Sequence, residues 1–388
     1  MKEEPTAKRR PSFATRLLAF FLTVALVLGG VALVAYRDHL NFDAFKRWFT
    51  YRSLERSDSG QAESFRYEGR YSDLFSDLNG DLLIASPSAA RLYSAGGVEY
   101  LSLPCQLKQP GLSSRDGLAV VYDVGGSNLL GVQDRQEAFS LSLDSSKQLL
   151  SANLSENGWL AVTTKETGYK GVVTLYHGSA DPVIALRISS RFLTDAVPSS
   201  DGKNLAVLAV GLEENTFAST LLLYPTDGSQ EPFAQCSLGN DVILSLHYAD
   251  GYYWTLGESS LSIVGEDGAL AGQFDYSDQS LKSASLGGDG FATLLLGKYR
   301  AGSAAELVTV DQQGQSLGRL SIQEQVLSLS AAGRYVAVLT ADQLDIYTKD
   351  FTLYDCLTGT QGARQVVLRE DGSAFLIGSE SARLYVPN

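Results

Sequence analysis

Ser199-Ser200-Asp201-Gly202-Lys203-Asn204-Leu205-Ala206-Val207 is a tight polar turn running straight into an apolar strand. An Asp-Gly pair supplies the left-handed backbone that a short hairpin turn requires, and the apolar text after it has the character of a buried strand. The same punctuation recurs seven more times, at Asn79-Gly80, Asp116-Gly117, Asn157-Gly158, Asp250-Gly251, Asp289-Gly290, Ala332-Gly333 and Asp371-Gly372. Successive glycines stand 37, 41, 44, 49, 39, 43 and 39 residues apart. A period of about 20–50 residues decides a fold before any single propensity does.

Each unit continues in the same way. An apolar strand follows the turn, then a third strand, often ending in a second glycine turn as at Asp227-Gly228, Asp267-Gly268 and Gln313-Gly314. A fourth strand and the first strand of the next unit follow. Four short strands per about 40 residues, with no helical text between them, is the arithmetic of a β-propeller blade. The chain is therefore expected to be all-β, an eight-bladed β-propeller over residues 64–388. Seven blades is the alternative, if the weak second unit around Gly125 to Leu143 is not a full blade. The last unit reads as three strands, and the unassigned stretch Ser64 to Tyr71 is expected to supply its fourth, closing the ring and removing an open edge.

The opening stretch resembles the S-x-D-G-K-x-[LI]-A-[FV] repeat of TolB-like and WD40-like propellers, and weaker versions stand in the other units. Together with a single apolar segment near the N-terminus, the whole chain is similar to a domain-of-unknown-function family of single-pass, membrane-anchored propellers from Firmicutes. That resemblance implies a bacterial origin and an extracytoplasmic propeller, and no assigned activity. The chain lacks a Trp-Asp blade ending, the S-x-D-x-G-x-x-W box of sialidase-type propellers and the quinoprotein A-x-D-x-x-T-G-x-x-x-W motif.

The apolar segment is Leu17 to Ala35, 19 residues without a charge. At 1.5 Å per residue it reaches roughly 28 Å, close to the hydrocarbon thickness of a bilayer. A transmembrane helix over 17–35 is expected, preceded by a basic cytoplasmic tail over 1–16. A cleaved signal peptide is the rival, but its apolar core is shorter, about 7–15 residues. Basic residues flank the segment on both sides, so orientation is read from the layout of a short tail before a large domain. The expected location is the cell membrane, single-pass, with the propeller outside the cytoplasm. Residues 36–63 read as a juxtamembrane stalk and linker, with Phe42, Phe45, Trp48 and Phe49 at helical spacing as an interfacial helix or a plain stalk helix.

The chain has 388 residues, 44% of them hydrophobic, which excludes global disorder. Residues 1–56 carry 10 Lys and Arg against 5 Asp and Glu, net +5, while the remainder carries 21 against 39, net −18. So acidic a domain speaks against a nucleic-acid partner. No metal site, cofactor or catalytic residue is expected. His39, His177 and His247 fall in different units, and Cys105, Cys236 and Cys356 end outer strands too far apart for a disulfide, reading as small buried hydrophobes. One carboxylate per Asp-Gly turn is too few oxygens for calcium. The pair Glu213-Glu214 reads as a solvated loop.

The second-to-third-strand connections carry the remaining signal. They are long in the third, fourth and sixth units, over Lys165 to Lys170, Gly211 to Phe217 and Lys298 to Gly302. In a propeller these connections share one face with the links between blades, opposite the Asp-Gly turns. Aromatic and cationic residues there mark a recognition surface. Tyr169, Lys170, Phe217, Lys298, Tyr299 and Arg300 are the candidate binding residues. The expected function is a non-catalytic binding or scaffold module for an unknown protein or cell-envelope ligand. The alternative is a hydrolase or lyase acting on envelope glycans, with acidic residues at the propeller channel.

Overall fold

A computed structural model describes residues 20–24, 27, 42–178, 180–213, 215–299 and 301–387. The chain divides into two units, residues 1–52 and 53–388. In the first, residues 20–24 are helical and α1 spans Phe42–Thr50. Phe45, Trp48 and Phe49 are exposed on α1, with the Phe45 and Trp48 rings stacked 6.2 Å apart. The Arg52 guanidinium lies 4.8 Å from the centre of the Phe49 ring. Among the described residues no helix is long and apolar enough to cross a membrane. The expected span over 17–35 lies largely outside the described residues, and the basic tail and His39 lie wholly outside them.

The second unit is built from eight four-stranded antiparallel sheets. Blade 1 consists of Leu74–Leu78, Asp81–Ala85, Ala89–Tyr93 and Glu99–Pro104, designated strands A to D from the innermost outward. Blades 2 to 7 repeat this pattern over 110–142, 148–188, 192–237, 243–275, 280–322 and 328–358. Blade 2 is a complete sheet, so the seven-bladed alternative is set aside. Blade 8 takes strands A to C from Ala363–Leu368, Ala374–Gly378 and Ser381–Tyr385, and strand D from Phe65–Arg66. Phe65 stands opposite Ala382 and Arg66 opposite Ser381, which is the closure the sequence leads one to expect. A strands of neighbouring blades pack together except those of blades 5 and 6, which meet through a shared core, and that of blade 1 also meets that of blade 8, so the sheets form a ring rather than a solenoid.

The core lies between sheets. Ala161, Val173 and Leu175 of blade 3 pack on Leu193, Ala196, Leu205 and Val207 of blade 4. Tyr335, Ala337 and Ile346 of blade 7 pack in the same way on Val366, Leu368, Ala374 and Leu376 of blade 8. The B strands Asp81–Ala85, Leu118–Asp123, Phe291–Gly297 and Tyr335–Leu339 are buried along their whole length. Both faces of these strands meet protein, and their sequences are accordingly continuous apolar runs rather than alternating ones.

The A–B turns touch one another around the ring. The Asn79 amide packs on Gly117, where any Cβ would collide with it. Asp116 Oδ2 accepts from Asn157 N at 3.3 Å, and Asn157 Nδ2 donates to Ser200 O at 3.0 Å. Ser200 meets Tyr248 through their hydroxyls, 3.4 Å apart. The Asp250 carboxylate lies beside Gly290, and Asp289 N donates to Gly333 O at 2.8 Å. Gly333 approaches Glu370, and Arg369 pairs with Asp77 at 2.8 Å to return to blade 1.

Inner strands present a free edge toward the axis, and neighbouring side chains satisfy part of it. Ser113 Oγ accepts from Leu154 N at 3.0 Å, Ser285 Oγ from Ala331 N at 2.8 Å, and Ser328 and Ser330 from Val366 N and Leu368 N at 3.1 Å each. Serines of the first strands thus join blade 2 to blade 3, blade 6 to blade 7 and blade 7 to blade 8.

Candidate functional site

Strand direction alone assigns the two faces of the ring. A–B and C–D turns emerge on one face; B–C connections and the links between blades emerge on the other, here termed the loop face. The B–C connections of blades 3 and 6 are loops, over 166–170 and 298–304. That of blade 4 corrects the loop expected over Gly211 to Phe217. Strands Asn204–Glu213 and Thr216–Pro225 stay paired as far as Glu213 opposite Thr216, and Asn215, at φ 66°, makes the turn. On either side of Glu214, which lies outside the described residues, the segment is a two-stranded ribbon longer than the hairpins of its neighbours.

Leu212 and Phe217 stand opposite each other on this ribbon and are 76% and 39% exposed. Beside it, Lys170 Nζ donates to Ser190 O at 2.9 Å and lies 5.1 Å from the centre of the Phe192 ring. Phe192 opens strand A of blade 4 and is itself exposed, as is Tyr169. Lys170, Phe192, Leu212 and Phe217 therefore stand together where blade 3 meets blade 4, with Tyr169 exposed beside Lys170 in the same loop; this group is termed the blade 3–4 patch. In blade 6 the Lys298 Nζ lies 5.6 Å from the centre of the Tyr299 ring, which is 67% exposed. Lys282 Nζ donates to Gly302 O at 2.5 Å and Ala304 O at 3.2 Å, which holds this loop to its own blade. Among the described residues no hydrogen bond or ring contact joins the blade 6 group to the blade 3–4 patch. Arg300 and Glu214 lie outside the described residues.

Phe192 and Leu212 are additions that sequence reading missed. So is a set of bulges at the loop-face end of strand A. Pairing skips one residue at Leu150, Thr194, Leu244, Lys282 and Arg364 in blades 3, 4, 5, 6 and 8. Such an extra residue turns a side chain away from the ladder, here at the entrance to the axis. Nothing in the text marks these positions, because one added residue leaves composition and spacing almost unchanged.

At the opposite mouth Arg115 reaches from blade 2 to blade 5. Its Nη2 is 2.9 Å from His247 Nε2 and donates to Tyr248 O at 2.8 Å. A guanidinium can only donate, so Nε2 is the acceptor and the imidazole proton sits on Nδ1. Burial, and then the Arg115 charge, push the His247 pKa down to about 3. Asp289 at this mouth has its pKa raised, chiefly by burial and then by Glu370 and Asp250. Nearer the loop face, Asp195 Oδ1 accepts from Asn153 Nδ2 at 2.5 Å and from Ala196 N at 2.9 Å, and burial lifts its pKa to about 6.

The remaining candidates fall into structural places. His177 donates from Nε2 to Asn157 O at 3.1 Å and stacks on Trp159, with ring centres 4.1 Å apart. The three thiols are free; Cys236 is buried and Cys105 partly so, but Cys356 is exposed, contrary to the reading of all three as buried. Its outer strand has no sheet beyond it. Turn carboxylates hold their own turns, as Asp371 Oδ1 does with Ser373 N and Oγ at 2.9 and 2.6 Å. Among the described residues no group of three His, Cys, Asp or Glu is placed to hold a metal ion.

The model of a family of unknown function, DUF5711, matches residues 52–353. No curated protein matches the chain. Among solved structures, BamB from Moraxella catarrhalis is similar at 13% identity and a TM-score of 0.53, over 84% of this chain and 96% of that one. The C-terminal WD40 domain of Sif2 is similar at 14% identity and a TM-score of 0.56, over 85% and 97%. Apo AztD from Citrobacter koseri follows at 10% identity and a TM-score of 0.50, over 74% and 86%. At these identities the likeness is one of fold, and that fold is the β-propeller.

Proposed function

The chain belongs to the DUF5711 family, whose function is unknown, and we propose that it is a non-catalytic binding or scaffold module for a protein or cell-envelope ligand. In this reading residues 17–35 anchor it in the cell membrane as a single span, and the propeller stands outside the cytoplasm. The observation that carries the binding role is the blade 3–4 patch. Tyr169, Phe192, Leu212 and Phe217 are exposed, two of them on paired strands that run longer than those of neighbouring blades. Large apolar side chains presented from hydrogen-bonded strands suit a binding hot spot, since paired backbone has less ordering entropy left to lose. Tyr299 extends the same face two blades away.

The inner histidine supports a non-catalytic reading. A general base needs a free lone pair and a pKa near the working pH. The Nε2 lone pair of His247 is held by Arg115, and its pKa sits near 3. The acidic surface fits a domain that stands off anionic envelope polymers.

Photo-crosslinking in native membranes tests the binding role. A crosslinking residue placed at Phe217 should capture a discrete partner, while one at Asp227, on a C–D turn of the same blade, should not. Phe217→Ala should weaken binding of that partner by about tenfold or more. Equal capture from both positions would remove the patch from consideration. Protease treatment of intact cells tests the topology, since a propeller that survives while external controls are cut contradicts an extracytoplasmic domain.

A further inference from the structure

The seam that closes the ring contains a cavity of about 310 Å³. Its wall combines three parts of the chain: Ser64 just before the N-terminal strand, Gln361 and Gly362 in the link from blade 7, and Ser379, Glu380 and Arg383 of blade 8. Arg383 lies on strand C, the strand that the N-terminal segment covers. Among the described residues its side chain makes one hydrogen bond, a long one from Nη2 to Gly359 O at 3.4 Å, and no ion pair. A guanidinium carries five N–H donors in a planar fork.

We propose that this cavity is the seat of a compact oxyanion, a carboxylate or a phosphate, taken by the Arg383 fork. Three observations converge on it. The first is a solvent-open recess, large enough for a small molecule or the end of a chain, with Arg383 in its wall. The second is a partly buried cation whose pKa is drawn down by desolvation, with no acidic group acting to offset it. Such a charge is costly to keep from water and gains most from an anion that fills the fork at two points. The third is the ring of Ser64, Ser379 and Ser381 around the same space, which supplies hydroxyl donors for the remaining oxygen lone pairs. Glu380, exposed at the rim, disfavours high negative charge. A monoanionic carboxylate should therefore seat more readily than a phosphate dianion.

The seat has a structural consequence. Ser64 immediately precedes the N-terminal strand and Arg383 lies on the strand it covers, so an anion touching both strengthens the closure itself. An occupied cavity is thus a lock on the ring, set apart from the aromatic patch on blades 3 and 4. Failure of one proposal leaves the other standing, since Phe217 and Tyr299 do not line this cavity.

Hydrogen exchange on the purified full chain tests the inference, with sodium acetate and inorganic phosphate as probes and sodium chloride holding ionic strength constant. Either anion should slow exchange of the amides of residues 65–67 and 381–385 saturably, by about threefold or more, and leave blade 3 unchanged. Arg383→Gln should abolish that protection, and Arg383→Lys, which keeps the charge but loses the fork, should retain only part. Arg383→Gln removes a desolvated charge, so it should fold with an unchanged thermal transition; should it fail to fold, Arg383→Lys carries the same comparison. The proposal is overturned if neither anion protects the seam, if protection spreads evenly over the chain as a general salt effect, or if the substitution leaves it intact.

Discussion

Two ionisable residues on the inner strands act in opposite directions as pH falls. Asp195 has a folded pKa of about 6, above its ordinary 3.8, because burial penalises the carboxylate. The folded state then binds the proton more readily than the unfolded chain, so this residue lowers stability as pH rises from about 4 to 6. Two pK units correspond to about 3 kcal/mol at neutral pH. His247 behaves in reverse. Its pKa of about 3 lies below the ordinary 6.5, so stability is intact above 6.5 and is lost as pH falls below it, by about 3 kcal/mol at pH 4. Between pH 4 and 6 the two slopes offset each other, and the wild-type thermal transition should vary little on their account. Asp195→Asn keeps an oxygen for Ala196 N and removes one slope; it should raise the transition at pH 7.5, leave it unchanged at pH 4, and expose a steeper acid loss. His247→Gln keeps an acceptor for Arg115 and should instead make the protein gain stability on acidification. Thermal scans of both variants at pH 4, 5, 6 and 7.5 check the signs; parallel curves would show that neither group is shielded as described.

Hairpin turns are the element that the text marks most openly, yet they are not interchangeable. At Asn79, Asp116, Asn157 and Asp250 both turn residues take positive φ, whereas at Gly202, Gly290, Gly333 and Gly372 the glycine alone does. Gly202 also meets its neighbour. An added Cβ would collide with the Trp159 indole, which is itself stacked on the His177 ring and would have to shift. Gly251, at φ 81°, has no atom within 4 Å of such a Cβ. Gly251→Ala should therefore cost about 1 kcal/mol from backbone strain alone. Gly202→Ala adds a steric clash between blades and should cost about 3 kcal/mol or more. Chemical denaturation separates them, and equal losses would mean that the blade 3–4 contact at Trp159 is loose. The eight turns and the seam strand were legible because glycine and spacing are written in the sequence. The blade 4 ribbon was not, since Glu213, Glu214 and Asn215 have loop composition and only the ladder from Phe192 through Ala218 reveals the pairing. The binding face was half legible: Tyr169, Phe217 and Tyr299 announce themselves as aromatic loop residues, while Phe192 reads as ordinary strand text. The exposure of Cys356 was hidden because an outer strand alternates inward and outward faces, and composition does not reveal which is which.

At the scale of the ring, everything depends on a short strand from the far end of the chain. Phe65 and Arg66 cover the edge of Ser381–Tyr385, and the backbone pairing extends beyond them through Ala62 N to Leu384 O and Val386 N to Gly60 O at 2.8 and 3.0 Å. Tyr67 adds a hydrogen bond from its hydroxyl to Gly378 O at 2.8 Å, and the Phe65 ring stacks on Tyr93 of blade 1, 5.8 Å away. The N-terminal segment thus completes blade 8 and fastens it to blade 1. Without it, the last sheet presents a bare edge, and the ring must either open or recruit a strand from another molecule. A chain beginning at residue 53 keeps every one of these contacts and should unfold like the full-length protein's propeller. A chain beginning at residue 68 loses them all, and its thermal transition should fall by about 10 °C or more, with dimers or larger species from edge pairing. Calorimetry and size-exclusion chromatography of the two truncations decide the matter. If the shorter one stays monomeric and melts with the longer, seven complete blades and three strands of the eighth hold the ring unaided, and the seam is only a cover.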